Sequence, residues 1–314
     1  MATWSAPGKV FLFGEHAVVF GKSGLAMAIK PRVYVTVRKA RNPAKVNSPY
    51  IEGCFEELGV TGSVYIHSQL PSSSGLGSSA AVTVATLCAI NDEFGLGLTR
   101  SDIASTAFNI EKKVQKGRAS PTDTFVSTYG GLVLIKDGKR RRLPPENFNI
   151  VIGNTMVSHK TSELVAMVGE FRANNPLVVD PILDAIEAVT SRSMHNFQNL
   201  KLLGRYMDIN NALLEALGVG HPALSRLITA SRAAGAYGAK ITGAGGGGCM
   251  IALCPKRSKS KVAGAIEAAE GKAIITTMDT EGARKEEDSG SNGNNGSGGN
   301  NGSNGRSDYI KAGR

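Results

Sequence analysis

Leu70-Pro-Ser-Ser-Ser-Gly-Leu-Gly-Ser-Ser-Ala-Ala81 is the stretch on which the fold turns. A β-branched run, Val64 to Ile66, precedes it, and a segment apolar on most faces (Val82, Val84, Leu87, Ile90) follows from about Ser79 to Phe94. The pattern predicts a strand, a Gly/Ser loop and a buried helix. Such a loop presents uncrowded backbone N–H groups, and the helix start adds partial positive charge, so a phosphate is stabilised there. No Gly-Lys-Ser/Thr follows at Walker A spacing, so this is a different class of phosphate loop. Alone, a glycine-rich turn before a helix is as often a plain connector, and its company decides.

Upstream lies Ser5-Ala-Pro-Gly-Lys-Val-Phe-Leu-Phe-Gly-Glu-His16, which sets Lys9, Glu15 and His16 around an apolar strand at Phe11 to Phe13. Val33-Tyr-Val-Thr-Val37 alternates as a second strand. Far downstream is Lys240-Ile-Thr-Gly-Ala-Gly-Gly-Gly-Gly-Cys-Met250, inside a strand, glycine turn, strand pattern from Ala239 to Leu253. Glycines carry an entropic cost in a folded domain and permit close backbone approach to a ligand. Between these motifs, Thr99 is placed to cap a helix with Asp102 in capping-box position. That helix has Ile103, Ala107, Ile110 and Val114 on one stripe and Glu111 at its edge. Gly130 to Ile135 and Phe148 to Ile152 are expected to pair and close the first domain, Thr161 or Ser162 to cap a helix reaching Phe171, and residues 180 to 232 to be mostly helical.

With 314 residues, 41% hydrophobic, the chain is long enough for two α+β domains sharing a cleft, here divided 1–150 and 151–287. Residues 288–314 are almost all Ser, Asn and Gly at first and are expected to form a disordered tail. The net charge of +10 favours anionic partners, but the densest basic run, Lys139 to Arg142, follows the turn pair Asp137-Gly138 and reads as a solvated hairpin. No nucleic-acid module accompanies it, so no nucleic-acid partner is expected. Cys54, Cys88, Cys249 and Cys254 form no C-x-x-C pair, which suits small buried hydrophobes in a reducing cytoplasm. No signal-peptide pattern and no run near ~18 apolar residues occur, so a soluble protein without a membrane partner is expected. His67, His159, His195 and His221 lack motif company and read as structural.

In this order and spacing the three motifs resemble those of the GHMP kinases. Their wording, Ala6-Pro-Gly-Lys-Val-Phe-Leu-Phe-Gly-Glu-His-Ala-Val-Val19, Gly75-Leu-Gly-Ser-Ser-Ala-Ala81 and Lys240 to Cys249, is most similar to the mevalonate kinases, with the short first-to-second spacing of archaeal members. Galactokinases carry Thr-Asp after the Gly-Glu-His, where this chain has Ala17 and Val18. Ser120-Pro-Thr-Asp-Thr-Phe-Val-Ser-Thr-Tyr-Gly-Gly131 resembles the family's catalytic aspartate loop, and Glu111 its magnesium glutamate.

The resemblance implies a two-domain α+β fold with a ferredoxin-like second domain and an active site in the cleft. It implies ATP and mevalonate as substrates, Mg²⁺ as cofactor, and leaves room for a homodimer. ATP would lie along Pro71, Ser72, Ser73, Ser74, Gly75, Leu76, Gly77, Ser78, Ser79, Ala80 and Ala81, with Ser79 and Glu111 holding the metal and Ser78 as rival to Ser79. Asp123 would accept the hydroxyl proton or orient the hydroxyl, Lys9 would favour the developing alkoxide, and Glu15, His16, Thr242 and Gly243 would lie near the acceptor. The rival reading among enzymes is a different GHMP kinase, such as one acting on phosphomevalonate, and a rival of another class is an inactive ligand-sensing relative. Inactive members usually lose the aspartate, lysine or magnesium glutamate, and Lys9, Glu111 and Asp123 are all present. Because a Ser/Asn/Gly tail offers no apolar surface to bury, ending the chain after Glu287 leaves the thermal midpoint unchanged in a melting scan. A drop of several degrees would show that the tail docks.

Overall fold

The computed structural model describes residues 1–41, 46–71, 75–117, 119–158 and 160–287. Its first sheet grows from a long antiparallel pair, β1 (Ala2–Phe13) and β2 (Gly24–Lys39), which runs from Ala2 opposite Val37 to Phe13 opposite Leu25 with register shifts at Pro7/Gly8 and between Phe11 and Phe13. The far edge of β2 is shared: β3 (Gly62–Ser68) pairs with Val33–Lys39, and β4 (Leu132–Lys136) with Gly24–Met27. β4 turns back into β5 (Lys139–Leu143) through Asp137 and Gly138, at φ 50° and 69°, the left-handed pair a two-residue hairpin needs. The basic run is therefore a hairpin strand, as its sequence indicated.

Four helices accompany this sheet: α1 (Pro49–Leu58), α2 (Ser78–Phe94), α3 (Arg100–Val114) and α4 (Pro121–Tyr129). α2 packs on β1 and β2 on one side and on α1, α3 and α4 on the other, which explains why it is apolar nearly all round. Thr99 and Asp102 form the expected reciprocal capping box on α3.

The second sheet has the order β7-β8-β6-β9, from β6 (Ile150–Asn154), β7 (Gly238–Ile241), β8 (Cys249–Leu253) and β9 (Lys272–Thr276). Helices α5 (Thr161–Asn174), α6 (Pro176–Met194), α7 (Leu200–Ala216) and α8 (Pro222–Ala233) connect β6 to β7, and α9 (Lys259–Ala268) connects β8 to β9. This β-α-β-β-α-β order is the split, ferredoxin-like arrangement, and the chain is α+β as expected.

Two local expectations are corrected. The run at 148–152 does not pair with 130–135; β6 lies inside the second sheet with β8 on one edge and β9 on the other, while β4 takes the nearer partner across its own hairpin. β6 is buried throughout, and such a run carries no alternation to say which sheet it joins. The N-cap of α5 is Lys160 and makes no side-chain cap; Thr161 and Ser162 already lie in the first turn. His159 and residues 288–314 lie outside the described residues.

The two sheets share a core: Ala6, Val10 and Leu12 of β1 belong to the same apolar cluster as Ile150, Ile152, Cys249 and Ile251. After β9 the chain returns to the first sheet, where Asp279 N–H donates to Ala28 O, Ala283 N–H donates to Thr128 O at the end of α4, and β10 (Arg284–Lys285) pairs with Trp4 and Ser5. Buried Arg32 fixes this return, pairing with Asp279 and donating to Ser5 Oγ (2.6 Å) and Gly282 O. Arg32→Leu strands the Asp279 carboxylate in the interior, so unfolding in denaturant should lose roughly 3–5 kcal/mol. A loss below about 1 kcal/mol would show that the pair is no better than a surface contact.

Candidate active site

β10 covers the outer edge of β1 only at Trp4 and Ser5, so the edge from Pro7 onward is open to other partners. Alternate residues of a strand present their backbone groups to the same edge, and three distant segments meet there. Ser127 Oγ of α4 donates to Pro7 O (3.0 Å), Lys9 N–H donates to Leu76 O (2.9 Å), and Thr242 Oγ1 accepts from Phe11 N–H (2.8 Å) and donates to Phe11 O (3.1 Å). The aspartate loop, the Gly/Ser loop and the late glycine motif thus converge on one strand. The late motif faces the Gly/Ser loop directly: a Cβ added at Gly243 would stand 3.8 Å from Gly75 O.

Lys9 is 5% exposed and runs across the Gly/Ser loop, where a Cβ at Gly77 would meet its Cγ at 2.9 Å. Gly77 has φ +73° and caps α2, so both backbone angle and space require glycine there. The ammonium lies 4.9 Å from the Phe11 ring centroid and 3.3 Å from Asp123 Oδ2. Asp123 reaches it because α4 packs Val126 into the apolar cluster of Phe11, Ala26 and Ala28, and Asp123 lies three residues earlier on the same helical face. Its side chain keeps 24% exposure, leaving it open to a ligand.

On the other side of the loop, Ser79 in the first turn of α2 lies near enough to Glu111 of α3 to influence its carboxyl. Burial pushes the Glu111 carboxyl up to about 7; the Asp123 charge adds to the shift, while Ser79 and Lys9 oppose it. Gln115 Nε2 donates to Glu111 Oε1 at 3.4 Å, and burial, then the Glu111 charge, push up the pKa of the neighbouring Tyr50 hydroxyl. Ser79, Glu111 and nearby Asp123 offer oxygen only, the donor set of a hard divalent cation. A carboxylate buried beside Ser79, with Asp123 nearby, is a group whose charged form such a cation would stabilise, so the residues fit the metal. Of the loop, Ser72, Ser73 and Ser74 lie outside the described residues; Pro71, Gly75, Leu76, Gly77, Ser78, Ala80 and Ala81 lead into α2.

Beyond β1 the chain turns sharply through Gly14 (φ +91°), Glu15 and His16, the last at φ 59°. Glu15 is 2% exposed and bonds Lys240, itself fully buried on β7. Burial pushes the Glu15 carboxyl up, and Lys240, then the Glu15 backbone amide and Lys9, pull against it. His16 Nε2 lies 2.9 Å from Ala244 O, an acceptor only, so Nε2 carries the proton. Burial lowers the His16 pKa, favouring the neutral ring. Thr242, expected near the acceptor, spends its donor on Phe11 O.

Of the histidines read as structural, His195 bonds Ser191 O (2.9 Å) and His221 caps α8 by accepting from Ala223 N–H (3.2 Å). Sequence reasoning missed Ser127, Tyr50, Gln115 and Lys240. Only Lys240 left a signal, as a charge between Ala239 and Ile241 in an apolar strand.

A glycine-capped helix start, an oxygen donor pair and a Lys–Asp pair beside them are the features of a small-molecule kinase. The description "GHMP kinases N terminal domain" matches residues 47–131, "GHMP kinases C terminal" residues 183–273, and "Galactokinase galactose-binding signature" residues 2–39. The mevalonate kinase of Thermococcus sibiricus is 40% identical over 90% of this chain and 98% of its own length, and that of Pyrococcus horikoshii 39% over 90% and 97%. The crystal structure of Methanococcus jannaschii mevalonate kinase superposes with a TM-score of 0.78 at 28% identity, covering 88% of this chain and 98% of that one. The L. major mevalonate kinase in complex with R-mevalonate shares the fold, with a TM-score of 0.80 at 23% identity over 89% of this chain and 96% of that one. The chain belongs to the mevalonate kinase family of the GHMP kinases.

Asp123→Asn keeps the shape of the side chain and removes its charge and basicity. Turnover should fall by orders of magnitude while nucleotide affinity, measured by titration, stays within about threefold. Near-normal kcat in the folded variant would contradict a role at the reacting hydroxyl.

Proposed function

We propose that this protein transfers the γ-phosphoryl group of MgATP to the primary C5 hydroxyl of mevalonate, giving 5-phosphomevalonate and ADP. The observation that carries the reading is the Lys9–Asp123 pair, held at 3.3 Å between the start of α2 and the Gly14–His16 turn. In-line transfer needs the γ-phosphate and the hydroxyl held together with their charge balanced, and little covalent work remains for the protein. N–H groups at the start of α2 would hold the phosphates. Asp123 takes the hydroxyl proton or orients the hydroxyl, the oxygen bonds to Pγ, and the bond from Pγ to the β-phosphate oxygen breaks. Lys9 stabilises charge on the attacking oxygen.

Ser79 and Glu111 are the residues that would hold Mg²⁺, which when bound neutralises phosphate charge. Glu15 and His16 would line the acceptor side, together with Gly243 and the Thr242 segment. Four buried cysteines, none of them in a disulfide, suit a cytoplasmic setting, and among the described residues no helix is long and apolar enough to cross a membrane.

Substrate identity is tested by ADP release and product mass with each acceptor at equal concentration. Mevalonate should be used far better than homoserine, galactose or phosphomevalonate; the absence of Thr-Asp after Gly14-Glu-His16 disfavours the sugar, since an unpaired buried hydroxyl costs roughly 1–3 kcal/mol. A kcat/KM for phosphomevalonate or homoserine equal to that for mevalonate would overturn the substrate and keep the class. Glu111→Gln should raise the Mg²⁺ concentration giving half-maximal activity by about tenfold or more. An unchanged magnesium titration would place the ligand elsewhere.

A further inference from the structure

Lys240 is a lysine with no exposed surface in a strand whose neighbours Ala239 and Ile241 are equally buried. Its ammonium donates to Glu15 and to Ile241 O (2.6 Å), joining β7 of the second sheet to the turn that ends β1 of the first. Such a pair is not needed for stability, because apolar residues of similar volume hold a fold as well or better than a buried ion pair. Its surroundings point to the reaction. Glu15 also feels the charge of Lys9, and Lys9 in turn pairs with Asp123 at 3.3 Å. Lys240 pairs with Glu15, Lys9 pairs with Asp123, and the two pairs are near enough for the Lys9 charge to reach Glu15.

Around Glu15 two buried atoms are left over. Glu15 Oε2 bonds no other described residue, and neither does His16 Nδ1 on the next residue, whose backbone is left-handed without being glycine. Buried polar atoms without partners are rare and mark places where a ligand supplies them. Both can only accept hydrogen bonds, so they suit hydroxyl groups of an alcohol. Without Lys240, Glu15 would hold a buried charge opposed only by Lys9 and would shift or protonate, and the turn would lose its tie to the late glycine motif.

We propose that Lys240 is the positioning residue for the acceptor side of the site, acting through Glu15 to hold the Gly14–His16 turn and Lys9 in place for transfer to the alcohol. This rests on the phosphotransfer reading above and adds to it a residue that touches neither substrate.

The test uses full-length protein in four forms: wild type, Lys240→Met, Glu15→Gln and the double variant. Thermal midpoint, KM for MgATP and acceptor kcat/KM are measured for each. Lys240→Met should lower acceptor kcat/KM roughly 100-fold while KM for MgATP stays within about threefold. Because Lys240 acts through Glu15, the double variant should match Glu15→Gln alone in acceptor kcat/KM, within about threefold, while regaining thermal midpoint lost by Lys240→Met. If Lys240→Met does not fold, the comparison of the double variant with Glu15→Gln decides.

A further loss of tenfold or more in the double variant would overturn the proposal, as would wild-type acceptor kinetics in Lys240→Met. So would a parallel loss for acceptor and MgATP, the mark of a purely structural staple. The ratios are taken with whichever alcohol the wild type phosphorylates, so a wild type that ignores mevalonate counts against the substrate reading and not against this one.

Discussion

The open edge of β1 between Pro7 and Phe11 is the constraint on which the site depends. A strand edge with unpaired N–H and C=O groups must find partners, and here they come from segments more than a hundred residues apart in one case and more than two hundred in another. Had β10 continued past Ser5, it would have filled these positions, and α4, the Gly/Ser loop and the late glycine motif would have no common anchor. The edge works as a ruler: alternate residues set the spacing of the aspartate helix, the Gly/Ser loop and the late glycine motif.

Charge is distributed along the same line. Lys9 lies beneath the loop, paired with Asp123 and felt by Glu15, while Glu111 is a carboxylate buried beside Ser79. Burial makes each of these interactions stronger than it would be in water and makes an uncompensated group costly. The site is thus balanced for ligands that bring both signs, a polyanionic nucleotide with its cation and a neutral hydroxyl that becomes negative as it reacts. The C-terminal return supports this from behind, since Arg32 and Asp279 hold the strap that bonds the end of α4.

The readable parts of this structure were those where sequence breaks a local rule. Glycines and serines before an apolar helix, and Lys9, Glu15 and His16 around an apolar strand, are out of place in a plain core, and they mark the candidate site. The depth of α2 was legible from its all-round apolarity, and the hairpin from Asp137-Gly138. The partner of β6 was not, because a run buried on both faces fits the interior of either sheet. The Glu15–Lys240 pair spans 225 residues, and no local pattern reports such a contact. Tyr50 lies in the first turn of α1 and Gln115 is the residue that ends α3, positions that local pattern assigns no ligand, so nothing distinguished them. The return after β9 is short and irregular, without periodicity to predict its docking.

The central claim is that one strand edge brings the acceptor hydroxyl, the phosphate loop and Asp123 together. A crystal structure with mevalonate and a magnesium-bound, non-hydrolysable ATP analogue measures this directly. The account predicts the C5 hydroxyl about 2.6–3.2 Å from an Asp123 carboxylate oxygen, with the terminal phosphate at the start of α2 and Glu111 on the metal. A mevalonate bound away from the Pro7–Phe11 edge, or phosphates seated elsewhere than the start of α2, would contradict it.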